Sequence, residues 1–168
     1  MLEIQLFYIA ATVALVATIL AMTRSNAIHA LIYLIVSLLA VAVIFYLIGA
    51  AFAAALEIVI YAGAIMVLFV FVIMMLNLGE IGDSRERQWL RPGIWLGPAL
   101  LASVLLLELA VLIGGIEGPV SKGAVSAKQV GIELFGPYVL AVEIASLLLL
   151  AGLVGAFHLG RRYREGAQ

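Results

Sequence analysis

The sequence of 168 residues contains no cysteine and only two histidines, His29 and His158. Disulfides, thiolate zinc sites, iron–sulfur ligation and covalent haem attachment all depend on cysteine, so the composition excludes them. Charged residues are also scarce, at 11% of the chain against about a quarter in soluble globular proteins. The chain has no basic tract of the kind that binds nucleic acid. Redox centres ligated by cysteine therefore cannot be built from this chain.

Hydrophobic residues make up 66% of the sequence, which is typical of an integral membrane protein. A helix that spans a bilayer needs roughly 20 predominantly apolar residues. Five stretches meet this requirement: 4–22, 28–48, 53–76, 94–114 and 138–159. We therefore predict an all-α membrane protein in which residues 1–168 form a single membrane domain with five transmembrane helices.

The connectors between these helices differ in length and polarity. Between the second and third helices stands only "GAAFA", which predicts a tight antiparallel hairpin. Residues 77–93 and 115–137 combine turn-forming and charged residues, and we expect both to be interfacial loops. At the start of the second helix, Ser25 or Asn26 is expected to act as the N-cap.

Orientation follows from the distribution of basic residues, since cytoplasmic segments carry an excess of lysine and arginine. If the N-terminus is outside, the outer segments hold only Lys122 and Lys128. The inner segments then hold Arg24, Arg85, Arg87, Arg91, Arg161, Arg162 and Arg164. This bias predicts an outer N-terminus and a cytoplasmic C-terminus.

The third helix, "ALEIVIYAGAIMVLFVFVIMML", carries an acid, a phenol and a glycine in an otherwise apolar span. Tyr61 follows Glu57 by four residues, so the two side chains share a helix face. Ionisable groups inside membranes mark proton or ion pathways, although a shallow acid can also pair with a neighbouring subunit for assembly alone. Gly63 is explained either by close helix packing or by a local π-bulge that lets the helix change register.

Two further acids lie inside predicted helices. Glu143 enters the fifth helix at a depth of about 6 to 8 Å, similar to that of Glu57, with Ser146 three residues later as a possible hydroxyl neighbour. A carboxyl beside a hydroxyl can pass a proton through a water-linked relay, so Glu143 is a second candidate. Glu108 lies in the last third of the fourth helix, and we expect it to reach the outer interface.

No enzymatic signature accompanies these acids. The stretch "GPVSKGAVSAK" lacks the spacing of a phosphate-binding loop, and the sequence has no dinucleotide fingerprint, nucleophile elbow or metal-ligand cluster. Chemistry on a substrate is therefore not supported by the residues of this chain.

Two long stretches resemble a known family. "SNAIHALIYLIVSLLAVAVIFYLIGAAFAAALEIVIYAGAIMVLFVFVIMMLNLG" and "LFGPYVLAVEIASLLLLAGLVGAFHLGRR" are similar to the subunit J family of bacterial respiratory NADH:quinone oxidoreductase (respiratory complex I), the counterparts of mitochondrial subunit 6. The resemblance covers roughly residues 24–162 and is most specific around Glu57, Tyr61 and Gly63. One departure is Ala27, where many members have proline, and it affects only the entry of the second helix.

The resemblance implies a membrane subunit of the bacterial cytoplasmic (inner) membrane that packs among subunits A, H and K and the surrounding lipid. It implies that a π-bulge around Tyr61 to Gly63 opens or closes a water route, with Glu57 on the proton path. Glu143 remains a further candidate for this path, from its position in the fifth helix. FMN, iron–sulfur clusters and quinone would be bound by other subunits, and this chain would need no cofactor. Two alternatives stay open: a packing subunit without a proton role, and an independent membrane carrier or channel.

Overall fold

A computed structural model describes residues 2–76, 92–115 and 124–165, and every regular element within these ranges is helical. The elements are α1 (Leu2–Thr23), α2 (Ala27–Leu47), α3 (Ala51–Leu56), the π-helical segment π1 (Glu57–Ile65), α4 (Met66–Leu76), α5 (Pro92–Gly115), α6 (Ala127–Phe135) and α7 (Val139–Glu165). The consecutive elements α3, π1 and α4 form one continuous third span. With this span counted once, the described residues contain five helices long and apolar enough to cross a membrane, which confirms the predicted fold class.

The predicted helices agree with the observed ones to within a few residues, except that α7 extends to Glu165. The predicted loop 77–93 lies almost entirely outside the described residues. The prediction of a loop over 115–137 is wrong in part, because α6 occupies Ala127–Phe135. Its first turn is capped by the Ser126 side chain, which accepts a hydrogen bond from the Gln129 N–H at 3.2 Å. Glycine and lysine in this stretch concealed the capping signal.

The chain divides into two compact units, Met1–Val125 and Ser126–Gln168. The first contains α1 to α5, and the second contains α6 and α7. In the second unit, the side chains of α7 are exposed along most of the helix, and none of its candidate spanning residues is buried within the chain.

Helices α1, α2 and α5 pack together and form what we call the three-helix core. Its centre is a cluster of buried apolar side chains: Val13, Ala17, Val36, Ala40 and Leu105. Ala17 and Ala40 have no exposed surface, and such small side chains let helix backbones approach closely. A second cluster, formed by Leu6, Leu47 and Leu112, lies one to two turns further along the same helices.

Polar contacts between α1 and α2 are satisfied within the core. The Thr18 and Ser37 hydroxyl oxygens lie 2.7 Å apart, and each is also within hydrogen-bond distance of the Ala14 carbonyl oxygen, at 2.8 Å and 3.2 Å. Each hydroxyl has one proton, so one donates to the carbonyl and the other to its partner hydroxyl. These bonds fix the register of α1 against α2 in surroundings that offer few other polar partners.

Tyr33 of α2 packs directly against Gly97 of α5. Tyr33 is 3% exposed, and a Cβ atom built on Gly97 would fall on the Tyr33 hydroxyl oxygen. Glycine at position 97 therefore leaves the space that the phenol occupies. The Arg24 guanidinium lies over the Tyr33 ring, 5.4 Å from its centroid, as in a cation–π interaction.

The connector between α2 and α3 consists of residues 48–50, even shorter than the predicted "GAAFA". Gly49 has a φ of 87°, and its N–H donates to the Tyr46 carbonyl at 3.0 Å. The Ala50 N–H donates to the Phe45 carbonyl at 2.9 Å, which completes a Schellman motif. This motif ends α2 and lets the chain turn back at once, so that α3, π1 and α4 all pack beside α2.

Candidate functional site

The candidate site is π1, a stretch of nine residues in the middle of the third span. Its backbone bonds reach five residues back: where π1 meets α4, the Met66 N–H points to the Tyr61 carbonyl. π-Helix occurs in proteins mostly as single turns within α-helices and is frequent at functional sites. The segment includes Tyr61 to Gly63, where the resemblance implied a bulge, and it extends four residues before Tyr61 to Glu57.

Gly63 suits the π conformation for a local steric reason. A Cβ atom at this position would lie 3.0 Å from the Ile58 carbonyl oxygen, five residues earlier in the chain. Real Cβ atoms rarely come so close to backbone, so a larger residue would push on the turn that defines π1. Within this chain, the contact that a side chain at Gly63 would meet comes from its own helix, which agrees with a backbone irregularity at this position.

Glu57 is the first residue of π1 and Tyr61 is its central residue. Glu57 is partly exposed, whereas the Tyr61 side chain is 51% exposed on the surface of the chain. Neither side chain makes a hydrogen bond or ion pair with any other residue that the structure describes. Both groups are therefore available to water, lipid or a neighbouring protein.

The rest of the third span provides an apolar frame for these groups. Among its described residues only Ala54 and Met66 are buried within the chain, and the exposed side chains of π1 and α4 are mostly large and apolar. They include Ile58, Val59, Ile60, Val67, Leu68, Phe69 and Phe71. One polar site in such surroundings interacts strongly with any charge or water molecule that reaches it, because the local dielectric constant is low.

Glu143 is exposed on α7, in the second unit. The expected hydroxyl neighbour is present but does not contact the carboxyl: the Ser146 hydroxyl donates to the backbone carbonyl of Glu143 at 2.8 Å. A serine commonly makes this bond to the preceding turn of its own helix. In this structure the single proton of the Ser146 hydroxyl is engaged by the backbone, and a relay between Ser146 and the Glu143 carboxyl stays a prediction.

Glu108 is placed differently from the prediction. It is 3% exposed and lies inside the three-helix core, so the expectation that it reaches the outer interface is wrong. The prediction used only the position of Glu108 along the helix. The surroundings of the side chain depend instead on the face of the helix from which it projects. The spacing of Leu105, Glu108 and Leu112 puts all three on one face, and this pattern was the signal that sequence reasoning missed.

Within the described ranges, no three side chains of histidine, aspartate or glutamate cluster as metal ligands would. The candidate site is thus defined by one carboxyl, one phenol and an irregular backbone. These groups can bind, donate and accept protons.

Comparison with known proteins identifies the family. The sequence profile described as NADH-ubiquinone/plastoquinone oxidoreductase chain 6 matches residues 17–159. A protein of Escherichia coli (strain K12) named NADH-quinone oxidoreductase subunit J is 57% identical over 161 residues, which are 95% of this chain and 88% of the relative. Proteins of the same name are 59% identical in Pseudomonas aeruginosa, over 93% of this chain and 95% of the relative, and 49% identical in Buchnera aphidicola, over 92% and 96%.

The matched residues include α2, the whole third span and most of α7, so they cover the candidate site. Five apolar helices and these bacterial relatives together indicate a multi-pass protein of a bacterial inner membrane. The resemblance noted in the sequence is thereby confirmed. The chain belongs to the NADH-ubiquinone/plastoquinone oxidoreductase chain 6 family and is a membrane subunit of NADH-quinone oxidoreductase.

Proposed function

We propose that this chain couples quinone reduction to proton transfer in the membrane part of the proton-translocating NADH-quinone oxidoreductase. It would carry no redox chemistry, and FMN, iron–sulfur clusters and quinone would be bound by other subunits. The observation that carries the proposal is the combination of one acid, one phenol and one tightly placed glycine in a π-helical segment of an apolar span. Irregular membrane helices with an ionisable group are typical of ion and proton pathways.

In this proposal Glu57 binds and releases a proton, and Tyr61 gates the path or relays the proton through its hydroxyl. Gly63 lets the third span change register, because glycine fits the π conformation as well as regular α-helix. Removing the extra residue from the turn shifts the register by one position, which rotates α4 by about 100° relative to α3. Such a rotation would move the large apolar side chains of α4 into or out of a water path.

Glu143 is proposed as a second proton-path residue on α7. Subunits A, H and K are proposed as neighbours, on the basis of the family resemblance. The exposed apolar surface of α7 and of the third span leaves room for contact with such neighbours as well as with lipid. The proposed orientation has the N-terminus outside and the C-terminus in the cytoplasm.

The test is a double variant, Glu57→Gln with Tyr61→Phe, measured in the assembled enzyme in membrane vesicles. We expect proton pumping to fall to a small fraction of the wild-type value, because neither remaining side chain can release a proton. A matched control is Glu3→Gln with Tyr8→Phe, which makes the same chemical changes on exposed positions of α1. Normal quinone reduction and normal pumping in the first variant would remove the relay from the proposal.

A second candidate function is that of a packing subunit whose acids only hold neighbours in place. The extensive apolar surface of α7 favours it, since a helix with no buried residues in its own chain needs other surfaces to cover it. This function predicts that Glu57 variants lose assembled complex on native gels, and that whatever complex assembles pumps normally. Assembly and pumping measured on the same preparation therefore separate the two candidates.

A further inference from the structure

Glu108 occupies the junction between the two apolar clusters of the three-helix core. On α5 it lies between Leu105, which belongs to the first cluster, and Leu112, which belongs to the second. On α2, Val43 packs against both clusters, and on α1 the fully buried Ala10 lies between Leu6 and Val13. The carboxyl is therefore enclosed by apolar side chains from three helices.

Both carboxyl oxygens are buried, and neither has a hydrogen-bond partner among the residues that the structure describes. An ionised carboxylate in this position would have no counter-charge and no donor. Such a group neutralises by keeping its proton, since the desolvation of an unpaired charge is the larger penalty. Buried polar groups in proteins are nearly always paired, so an unpaired carboxyl calls for a specific explanation.

The helices packed against α5 bring no titratable group to Glu108. Those on or next to α1 and α2 are Glu3, Tyr8, Arg24, His29, Tyr33 and Tyr46. Glu3, Tyr8, Arg24 and Tyr46 are exposed, and His29 lies in the first turn of α2. Tyr33 is buried, but its phenol lies beside Gly97, about 16 Å from Glu108 along α5 at 1.5 Å per residue.

A neighbouring subunit is not an alternative partner in this conformation. The side chain is 3% exposed in the chain by itself, and binding of another protein can only lower that value. A basic residue from outside would reach the carboxyl only after α5 had moved away from α1 and α2. Protonation neutralises the Glu108 carboxylate without any movement of α5 away from α1 and α2.

We propose that Glu108 is a proton-binding site, separate from π1, that exchanges its proton with water only when α5 separates from α1 and α2. In the closed core the side chain is a neutral carboxylic acid. When the helices separate, the O–H bond breaks, the proton passes to water and a hydrated carboxylate remains. Closing the core reverses this step. The proposal is independent of the role proposed for Glu57.

The test is infrared spectroscopy of the intact, purified enzyme in H₂O and in D₂O. A buried carboxylic acid has a C=O stretching band that an ionised carboxylate lacks, and deuteration shifts this band. We expect Glu108→Gln to remove one such band, and the matched change Glu3→Gln, at an exposed acid of α1, to leave it in place. In the wild-type enzyme, we expect the band to shift slowly in D₂O at rest and faster during turnover with NADH and quinone.

Four results would overturn the proposal, three of them spectroscopic and one from assembly. The first is the loss of carboxylate bands in Glu108→Gln, which would mean that Glu108 is ionised and paired. The second is a spectrum that does not change in this variant, and the third is deuterium exchange that is equally fast at rest and during turnover. Because the acid is proposed to be neutral, Glu108→Gln or Glu108→Leu should also assemble. Failure of both variants to assemble would show that the core requires a negative charge.

Discussion

Glu57 and Glu108 are both glutamates within apolar helices, yet the protein surrounds them in opposite ways. Glu57 begins an irregular segment of the third span, in which only Ala54 and Met66 are buried among the described residues, and its carboxyl is open to whatever covers that span. Glu108 lies on a regular α-helix, 3% exposed, with no partner for either oxygen among the described residues. The comparison shows that the chemistry of a membrane acid depends on the face of its helix more than on its depth.

The three-helix core and the third span are also held in place by different kinds of contact. The three-helix core is held by contacts within the chain: small residues at helix crossings, two leucine-containing clusters and the Thr18 and Ser37 hydroxyl pair. Among the described residues, the third span packs mainly beside α2 and leaves most of its surface for lipid or other subunits. We infer that contacts within the chain set the packing of the closed core, while the conformational change proposed for the third span depends on its neighbours.

The strongest test of this contrast places a permanent charge in the core. Glu108→Arg introduces a group that does not lose its proton, and an uncompensated buried charge costs about 3–5 kcal/mol. We expect this variant to lose most of the assembled complex on native gels, whereas Glu108→Gln retains it. Equal assembly of both variants would mean that the core opens readily to water, and the contrast between the two regions would disappear.

The next prediction concerns the close approach of α2 and α5. Gly97→Val would force a side chain onto the Tyr33 phenol, and overpacking of this kind costs about 1–3 kcal/mol. We expect a lower thermal stability of the complex and partial rescue by Tyr33→Phe, which removes the oxygen that would be struck.

Gly114→Val is the matched control on the same helix, because nothing lies within 4 Å of a Cβ atom at Gly114. If Gly97→Val and Gly114→Val lowered the stability equally, the contact with Tyr33 would not be the cause. A failure of Tyr33→Phe to rescue Gly97→Val would lead to the same conclusion.

A change at Gly63 tests the proposed conformational change of the third span. Alanine is favoured over glycine in an α-helix by about 1 kcal/mol, and in π1 its Cβ atom would press on the Ile58 carbonyl. Gly63→Ala should therefore shift the third span from π to α-helix. We expect normal assembly and reduced proton pumping. A cryo-EM map of the variant should show α-helical backbone hydrogen bonds across 61–66, from the N–H of residue i to the carbonyl of residue i−4.

Gly155→Ala on α7 is the control for this experiment, since no atom of the chain lies within 4 Å of a Cβ atom there. A map of Gly63→Ala in which the π-helical bonds persist would show that the steric argument is wrong. Normal pumping with a fully α-helical third span would instead remove the conformational change from the proposed mechanism.

Much of this architecture could be predicted because hydrophobic length and turn chemistry are local properties of a sequence. The five spans, the hairpin at Gly49 and the cap at Asn26 are of this kind. π1 could not be derived in the same way, because apolar residues surround it on all sides and leave no periodicity to read. The family resemblance predicted its position, and Gly63 was the local sequence feature that agreed with it. The burial of Glu108 depends on which face of α5 meets α1 and α2, which is a tertiary property.

The prediction with the smallest expected effect asks whether the three-helix core and the third span both depend on α2. The Asn26 side chain accepts hydrogen bonds from the Ile28 N–H at 3.0 Å and from the His29 N–H at 3.4 Å, which caps this helix. Asn26→Ala should cost about 1 kcal/mol, and Asn26→Ser should cost less because serine can also cap. Since α2 packs against α1, α5 and the third span, the alanine variant should lower both the thermal stability of the complex and its rate of proton pumping. A loss of stability with unchanged pumping would mean that the third span takes its conformation from neighbouring subunits alone, and that α2 serves only the three-helix core.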